Sequence, residues 1–343
     1  MPITNLEELN EYIELREDEK EWKEEEENTL PILISDNIKA LLSIDAMRRQ
    51  FVPTKSENED VIGNLDPLKE EEHTKASRLI HRYKNRAALL VTDRCFAYCR
   101  HCFRRRFTGT MTGPIKEDEI NNACEYLKAH REIKEVLLTG GDMFTLSDEA
   151  LDNLLSKLKS AREDIIYRLC TRTLLSNPDR FTHELFRILK KHNHDAPFYL
   201  MTQFNHPAEI TSKAIEKLSS FVELGIPIMN QCVLLRGVND ELETQVELCN
   251  KLLYNRIKPY YLFQGDLVKG TAHLRVPLSE GLELERKMRI ELSGLGMPQY
   301  TIDLPDGGGK VILTKNYIEG LVDDVWTFET PTGEIRHYPE DQR

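Results

Sequence analysis

Three cysteines, Cys95, Cys99 and Cys102, form a CxxxCxxC triplet within the segment TDRCFAYCRHCFRRRF. Three thiolates can each bind one iron of a [4Fe–4S] cube and leave the fourth iron open to a small molecule, whereas ferredoxins close the cluster with a fourth cysteine. A zinc site also needs four ligands, and His101 could supply the fourth only with awkward geometry beside Cys102. The spacing favours an open iron–sulfur cluster over zinc or unligated cysteines.

Two glycine-rich segments are the next candidates for chemistry. TGGD (139–142) could bring backbone close to a ligand, although such a segment alone more often marks a tight turn. In GGGK (307–310), backbone N–H groups could cradle a phosphate, and the lysine could condense with an aldehyde once burial or a neighbouring cation deprotonates it. The alternative is a flexible turn with a solvated lysine. The spacing excludes a P-loop.

The elements that would position these residues begin at ALLVT (88–92), which predicts a strand ending in the cysteine loop. Five further strand-like segments alternate with helix-like ones, and the polar groups TGGD, TQFNH, NQC and FQGD follow strand ends. This pattern predicts an α/β fold, a partial (β/α)6 TIM-like barrel of parallel strands whose functional residues lie at the strands' C-terminal ends. We expect a helical N-terminal region (1–85), broken near Pro31, Pro53 and Pro67, a barrel core (86–290) and a small C-terminal segment (291–343) that carries the lysine.

Composition limits the function classes. The chain has 343 residues, 40% of them hydrophobic, and a formal charge of −12, which gives no general attraction to nucleic acid or acidic membranes. No apolar run approaches the roughly 20 residues of a membrane span. Seven cysteines, three of them crowded, argue for metal ligation in a reducing compartment. The N-terminus resembles no secretory signal. We expect a cytoplasmic protein whose acidic N-terminal helices are solvated or make contacts in a homo-oligomer.

CxxxCxxC directly after the first strand resembles the radical S-adenosylmethionine superfamily. The resemblance implies that S-adenosylmethionine chelates the open iron, that Gly140, Gly141 and Asp142 lie near its methionyl amine, and that a flavodoxin or ferredoxin supplies the electron. Over residues 60–325 the chain is more narrowly similar to the lysine 2,3-aminomutase family. The similar segments are HRYKNR (81–86), FNHPAEIT (204–211), NQCVLLRGVND (230–240), KPYYLFQGD (258–266) and DLPDGGGK (303–310).

The narrower resemblance implies pyridoxal 5′-phosphate, held as a Schiff base on Lys310 after the glycine run Gly307, Gly308 and Gly309. It implies that Arg82 and Arg86 contact the cofactor phosphate; being four residues apart, they would share one face of a helix. The remaining implied contacts are with the α-carboxylate of an amino acid substrate (Arg104), with its distal ammonium (Asp266 and Asp303) and with S-adenosylmethionine (Gln203). We also expect Gln231 to contact S-adenosylmethionine.

The sequence departs from the family pattern in three respects. Gln203 replaces a histidine, and Asp306 stands where the family has glycine. In addition, no cysteine follows Cys249 to form the family's C-terminal zinc site. The expected reaction moves the amino group of a basic L-amino acid from C2 to C3. Lysine is the first choice of substrate, and arginine or another amino acid is the alternative. A radical enzyme that modifies RNA or protein would use the arginines at 104–106, and an iron–sulfur electron carrier would need a fourth cysteine.

Overall fold

The computed structural model describes residues 1–24, 29–110, 112–194 and 197–340. Residues 25–28, part of the acidic N-terminal stretch, lie outside the described residues. No helix within the described ranges combines the length and apolar composition that a membrane crossing requires.

The N-terminal region is only partly helical. Five short helices, α1 (Leu6–Tyr12), α2 (Glu17–Lys20), α3 (Asp36–Lys39), α4 (Asp45–Phe51) and α5 (Lys55–Asn58), are followed by two strands, β1 (Thr74–Ala76) and β2 (Leu79–Tyr83). The predicted helix at Arg82 and Arg86 is therefore wrong. The apolar and aromatic residues of LIHRY pair antiparallel with the next strand, and the pairing of Tyr83 with Arg86 leaves a two-residue turn between them.

The predicted α/β fold is confirmed, with one more parallel strand than the six expected. The parallel strands are β3 (Arg86–Thr92), β4 (Glu135–Gly140), β5 (Ile166–Thr171), β6 (Phe198–Thr202), β7 (Ile228–Val233), β8 (Ile257–Phe263) and β9 (Gln299–Leu304). They lie in the sheet in chain order, with β1 and the antiparallel β10 (Gly309–Ile312) at the two edges. The sheet therefore continues past residue 291 into the C-terminal segment.

Helices fill the connections between the parallel strands. They are α6 (Glu117–Ala129), α7 (Asp148–Ala161), α8 (Thr173–Ser176), α9 (His183–Asn193), α10 (Ser212–Glu223), α11 (Leu242–Tyr254) and α12 (Leu278–Glu291). In α7, the Ser147 hydroxyl accepts from the backbone N–H of Ala150 at the N-terminus. The buried residues of α7 recur at helical spacing and face the sheet: Leu151, Leu154, Leu155 and Leu158.

One hydrophobic core joins the N-terminal helices to the sheet, from Ile3 to Tyr300. The C-terminal β11 (Ile318–Val322), β12 (Val325–Glu329) and β13 (Ile335–Pro339) form a separate, more exposed antiparallel sheet. Because β3 to β9 are parallel, their C-terminal ends meet at one edge, and the loops that leave this edge surround the candidate site.

Candidate active site

A single cavity at this edge brings together every site residue proposed from the sequence except the three glycines of the 307–309 run. The cysteine loop after β3 forms one end of the cavity. Lys310, Asp303 and Asp266, from β10, β9 and the loop after β8, form the other end. Residues separated by more than 200 positions in the chain therefore line one cavity.

The three cysteine thiols are free and line the cavity. Burial raises the pKa of Cys95 well above its usual range and also raises the pKa of Cys99, so a bound cationic group is needed to keep them as thiolates. A single zinc ion would need its sulfur ligands roughly 3.8 Å apart. Among the described residues, the three thiols do not form a group whose ligand atoms all lie within 4.8 Å of one another, so they are not arranged around a single ion.

Buried ion pairs stabilise the cysteine loop. Glu57 of α5 accepts from Arg100 Nη2 at 2.6 Å and from Arg105 Nη2 at 2.7 Å, and all three side chains are at most 3% exposed. Arg172, in the loop after β5, donates to Cys99 Sγ at 2.6 Å and to Glu209 at 2.9 Å. Sequence reasoning missed Glu57 and Arg172, because neither lies in a motif that carried the resemblance.

The glycines of TGGD allow β4 to approach the cysteine loop. A Cβ on Gly141 would lie 2.2 Å from the Arg94 carbonyl oxygen, which leaves no room for a side chain. The backbone N–H of Asp142 donates to that same oxygen at 2.7 Å. The Asp142 carboxylate is buried and accepts from the Thr171 hydroxyl and from the backbone N–H of Arg172, so protein donors already bind both of its oxygens.

Gln203 and Gln231 line the cavity near the cysteines. The side-chain amide nitrogen of Gln203 lies 3.4 Å from His101 Nε2, and the backbone carbonyl oxygen of Gln203 accepts from Arg172 Nε at 3.1 Å. The substitution of glutamine for histidine therefore leaves a hydrogen-bonding side chain at this position.

At the other end, Lys310 and Asp303 are cross-strand partners in the β9–β10 hairpin, and the Lys310 ammonium forms an ion pair with the Asp303 carboxylate. The ammonium also lies 4.5 Å from the centre of the Phe263 ring. Burial lowers the pKa of Lys310, although Asp303 opposes the shift. Burial and then repulsion from Asp303 raise the pKa of Asp266 to about 7. Two carboxylates and an amine of reduced basicity thus share this end.

Arg82 presents unused donors to the cavity. Its side chain is 9% exposed, and its Nε and Nη2 atoms have no hydrogen-bond partner within the described residues. Arg86 stacks on the Tyr83 ring at 3.9 Å and lines the same wall. Arg82 Nη1 lies 3.7 Å from Asp303 Oδ1. Buried polar groups are nearly always paired, so the two unpaired N–H groups of Arg82 are suited to an anion such as a phosphate.

The turn between β9 and β10 explains the departure at Asp306. Asp306 has a φ of 57° and the following Gly307 has a φ of 77°, a left-handed conformation in which glycine is favoured and aspartate is tolerated. The Asp306 side chain is 74% exposed and has Lys69 3.8 Å away. The carboxylate therefore points out to solvent.

Arg104 lines the cavity but is already paired. Its Nε and Nη2 donate to Glu70 at 2.7 to 3.0 Å, and its Nη1 donates to the Thr139 hydroxyl at 2.9 Å. The Glu70 side chain is 9% exposed, and Arg106 Nη2 lies 3.6 Å from Glu70 Oε2. Glu70 is a fourth carboxylate in the cavity lining, besides Asp142, Asp266 and Asp303, and sequence reasoning missed it within the acidic run KEEE.

Comparison with known proteins identifies the family of this chain. The family model of the radical SAM superfamily matches residues 89–249. L-lysine 2,3-aminomutase of Clostridium subterminale is 37% identical over 343 residues, which cover 98% of this chain and 82% of that protein. The chain belongs to the lysine 2,3-aminomutase family of the radical S-adenosylmethionine superfamily.

Other members of this family show how far the relationship extends. L-lysine 2,3-aminomutase of Bacillus subtilis is 35% identical, covering 98% of this chain and 72% of that protein. Glutamate 2,3-aminomutase of Clostridioides difficile is 36% identical, covering 97% of this chain and 79% of that protein. The protein is thus an aminomutase, an isomerase, and its superfamily implies an iron–sulfur cluster and S-adenosylmethionine. Since relatives of similar identity are named for a basic and for an acidic amino acid, membership in the family leaves the substrate open.

Proposed function

We propose that this aminomutase moves the α-amino group of a basic L-amino acid, lysine first and arginine as its rival, from C2 to C3. The observation that carries the proposal is the pair Asp266 and Asp303 at the Lys310 end of the cavity. Two buried carboxylates repel each other, and a cation between them removes the repulsion. A distal ammonium or guanidinium would supply that cation, whereas the side-chain carboxylate of glutamate would add a further negative charge.

The residues present fit three cofactors: a [4Fe–4S] cluster, S-adenosylmethionine and pyridoxal 5′-phosphate. Cys95, Cys99 and Cys102 would hold the cluster, and Lys310 would hold the pyridoxal with its phosphate against the unpaired N–H groups of Arg82. When bound, the cluster and S-adenosylmethionine supply a carbon-centred radical, and pyridoxal phosphate supplies the aldehyde that retains the migrating nitrogen.

The surrounding side chains would prepare both ends of the substrate. Burial favours the neutral amine of Lys310, the form that can condense with an aldehyde, whereas Asp303 opposes this lowering of the pKa. We assign the substrate α-carboxylate to Arg104. Because Arg106 lies 3.6 Å from Glu70, that glutamate keeps a cationic partner when Arg104 binds substrate. The enclosing loops would position the substrate and keep water away from the radical.

The test is anaerobic incubation of the reconstituted enzyme with lysine, arginine or glutamate, with 5′-deoxyadenosine and the β-amino acid as readouts. Lysine or arginine should turn over, and glutamate should not. Asp266→Asn and Asp303→Asn should abolish this preference, whereas Asp306→Asn, which changes an exposed carboxylate, should retain it. Turnover of glutamate by the wild type, or of neither basic amino acid, would contradict the proposal.

Pyridoxal binding has a separate test. Lys310→Ala should lose the visible absorbance of lysine-bound pyridoxal and keep its iron, because the two sites lie at opposite ends of the cavity. Retention of that absorbance in the variant would exclude Lys310 as the attachment site. Adding substrate to the wild type should shift this absorbance if the amino acid replaces Lys310 as its partner.

We also propose a cytoplasmic enzyme that receives its electron from a flavodoxin or ferredoxin and works as a homo-oligomer. The seven free cysteines suit a reducing compartment. Reduction of the cluster by a purified flavodoxin, followed by 5′-deoxyadenosine formation, tests the donor. Analytical ultracentrifugation tests the assembly.

A further inference from the structure

A second group of ligand-type side chains lies outside the cavity. His81 belongs to β2, His130 caps the C-terminus of α6, and Glu132 follows two residues later. One nitrogen of each histidine and one carboxylate oxygen of Glu132 lie within 4.8 Å of one another. Both histidines are half-buried, Glu132 is exposed, and none of the three lines the cavity.

Neighbouring contacts hold the three side chains in place. Tyr126 stacks on the His130 ring with centroids 3.9 Å apart, and its hydroxyl lies 3.0 Å from His81 Nδ1. The two histidine rings meet edge to face with centroids 5.7 Å apart. His130 Nδ1 lies 2.8 Å from a Glu132 oxygen. Side chains fixed in this way lose little conformational entropy when they bind a common ligand.

The donor set selects a class of ion. Two imidazoles and one carboxylate form a combination that zinc uses in sites with an open fourth position, whereas Ca²⁺ and Mg²⁺ prefer oxygen ligands throughout. The C-terminal end of a helix also favours a cation, and His130 lies at that end of α6. Small adjustments of exposed Glu132 and the two rings would bring the ligand atoms to the spacing required by one ion.

We propose that His81, His130 and Glu132 form a zinc-binding site that fastens the β2–β3 hairpin to the C-terminal end of α6. The site goes beyond the aminomutase reaction and does not depend on it. Successive side chains of a strand point to opposite faces, so His81 faces α6 while the next residue, Arg82, faces the cavity. Zinc binding would therefore stabilise the strand that presents the Arg82 guanidinium to its anionic ligand.

The experiment measures Zn²⁺ binding to anaerobically prepared holoenzyme, in which the cluster occupies the three cysteines. Equilibrium dialysis with metal analysis gives stoichiometry and affinity, and zinc X-ray absorption identifies the ligand atoms. The wild type should bind one zinc per chain through nitrogen and oxygen, and zinc should raise its thermal midpoint. Glu132→Gln and His130→Ala should each weaken binding by at least about tenfold, since lost ligands cost no less than lost supporting contacts.

His183→Ala, which removes an exposed histidine at the start of α9, is the matched control and should bind zinc like the wild type. Mg²⁺ should leave the thermal midpoint unchanged. Circular dichroism and iron content establish that each variant is folded. Glu132→Gln changes only an exposed side chain, so it keeps the test decisive if His130→Ala fails to fold. Three results would each contradict the proposed site. They are an unchanged zinc affinity in Glu132→Gln or in folded His130→Ala, zinc bound through sulfur ligands, and the absence of saturable zinc binding.

Discussion

Replacing Glu57 with glutamine should destabilise the cysteine loop far more than the same change at Glu59, the residue directly after α5. Glu57 is the shared counter-ion of Arg100 and Arg105, whose side chains are 0% and 3% exposed. Removing one partner of a buried ion pair costs about 3–5 kcal/mol, because the charge left behind remains desolvated. The two pairs share one carboxylate, so their costs do not simply add.

The expected magnitude can be measured as a shift in urea stability. With an m value of about 3 kcal/mol/M, a loss of about 3–5 kcal/mol lowers the urea midpoint by roughly 1 to 2 M. Because Arg100 lies between Cys99 and Cys102, the variant should also retain less iron per chain. Burial alone would raise the pKa of Glu57, but the two arginines outweigh burial and lower it. The greater stability of the wild type over Glu57→Gln is thus fully present above the pKa that Glu57 has in the unfolded chain. It is lost as the pH falls through the lower pKa that Glu57 has in the folded protein.

The matched control is Glu59→Gln, which changes an exposed carboxylate two residues away. This control should unfold within a few tenths of 1 M of the wild type, since exposed ion pairs contribute about 1 kcal/mol or less. If Glu57→Gln unfolds at the same urea concentration as Glu59→Gln and keeps its iron, the buried arginines do not need this carboxylate and the reasoning is refuted.

Three further predictions concern the other end of the cavity. Because the pKa of Asp266 is about 7, the dissociation constant of lysine for the cofactor-loaded enzyme should fall about tenfold between roughly pH 6 and pH 8, and calorimetry should find no such change in Asp266→Asn. Arg82→Lys should weaken pyridoxal phosphate binding by roughly 10- to 100-fold in a spectrophotometric titration, because hydrogen bonds to a charged group contribute about 1.5–3 kcal/mol; unchanged affinity would rule out the phosphate contact. Asp306→Gly should change the free energy of unfolding by less than about 1 kcal/mol, since relief of left-handed strain is offset by greater flexibility of the unfolded chain. A loss of pyridoxal phosphate affinity in this variant would show that the exposed Asp306 carboxylate takes part in binding.

The fold could be predicted where short-range pattern and topology agree. The alternation of apolar strands with amphipathic helices fixes a parallel sheet, and a parallel sheet places all strand C-termini at one edge. That rule brings the loops after β3 to β8 to one cavity, whereas Lys310, 215 positions after Cys95, reaches the same cavity through the antiparallel β9–β10 hairpin. The prediction of a helix at Arg82 and Arg86 failed, because two arginines four residues apart are compatible with a helix face and with a tight hairpin. Only the pairing of β2 with β3 selects the hairpin.

The sequence by itself determined which chemical groups are present and in which order: three cysteines at cluster spacing, a lysine after a glycine run, and the aspartates at 266 and 303. Only the tertiary structure decided which charges meet. The pairs of Glu57 with Arg100 and of Glu70 with Arg104, and the grouping of His81 with His130 and Glu132, join segments about 30 to 50 residues apart through side-chain directions. Periodicity in a sequence reports which face of an element is buried, whereas an ion pair or a metal site depends on ångström-scale distances between separate elements, which only packing of the whole chain can set.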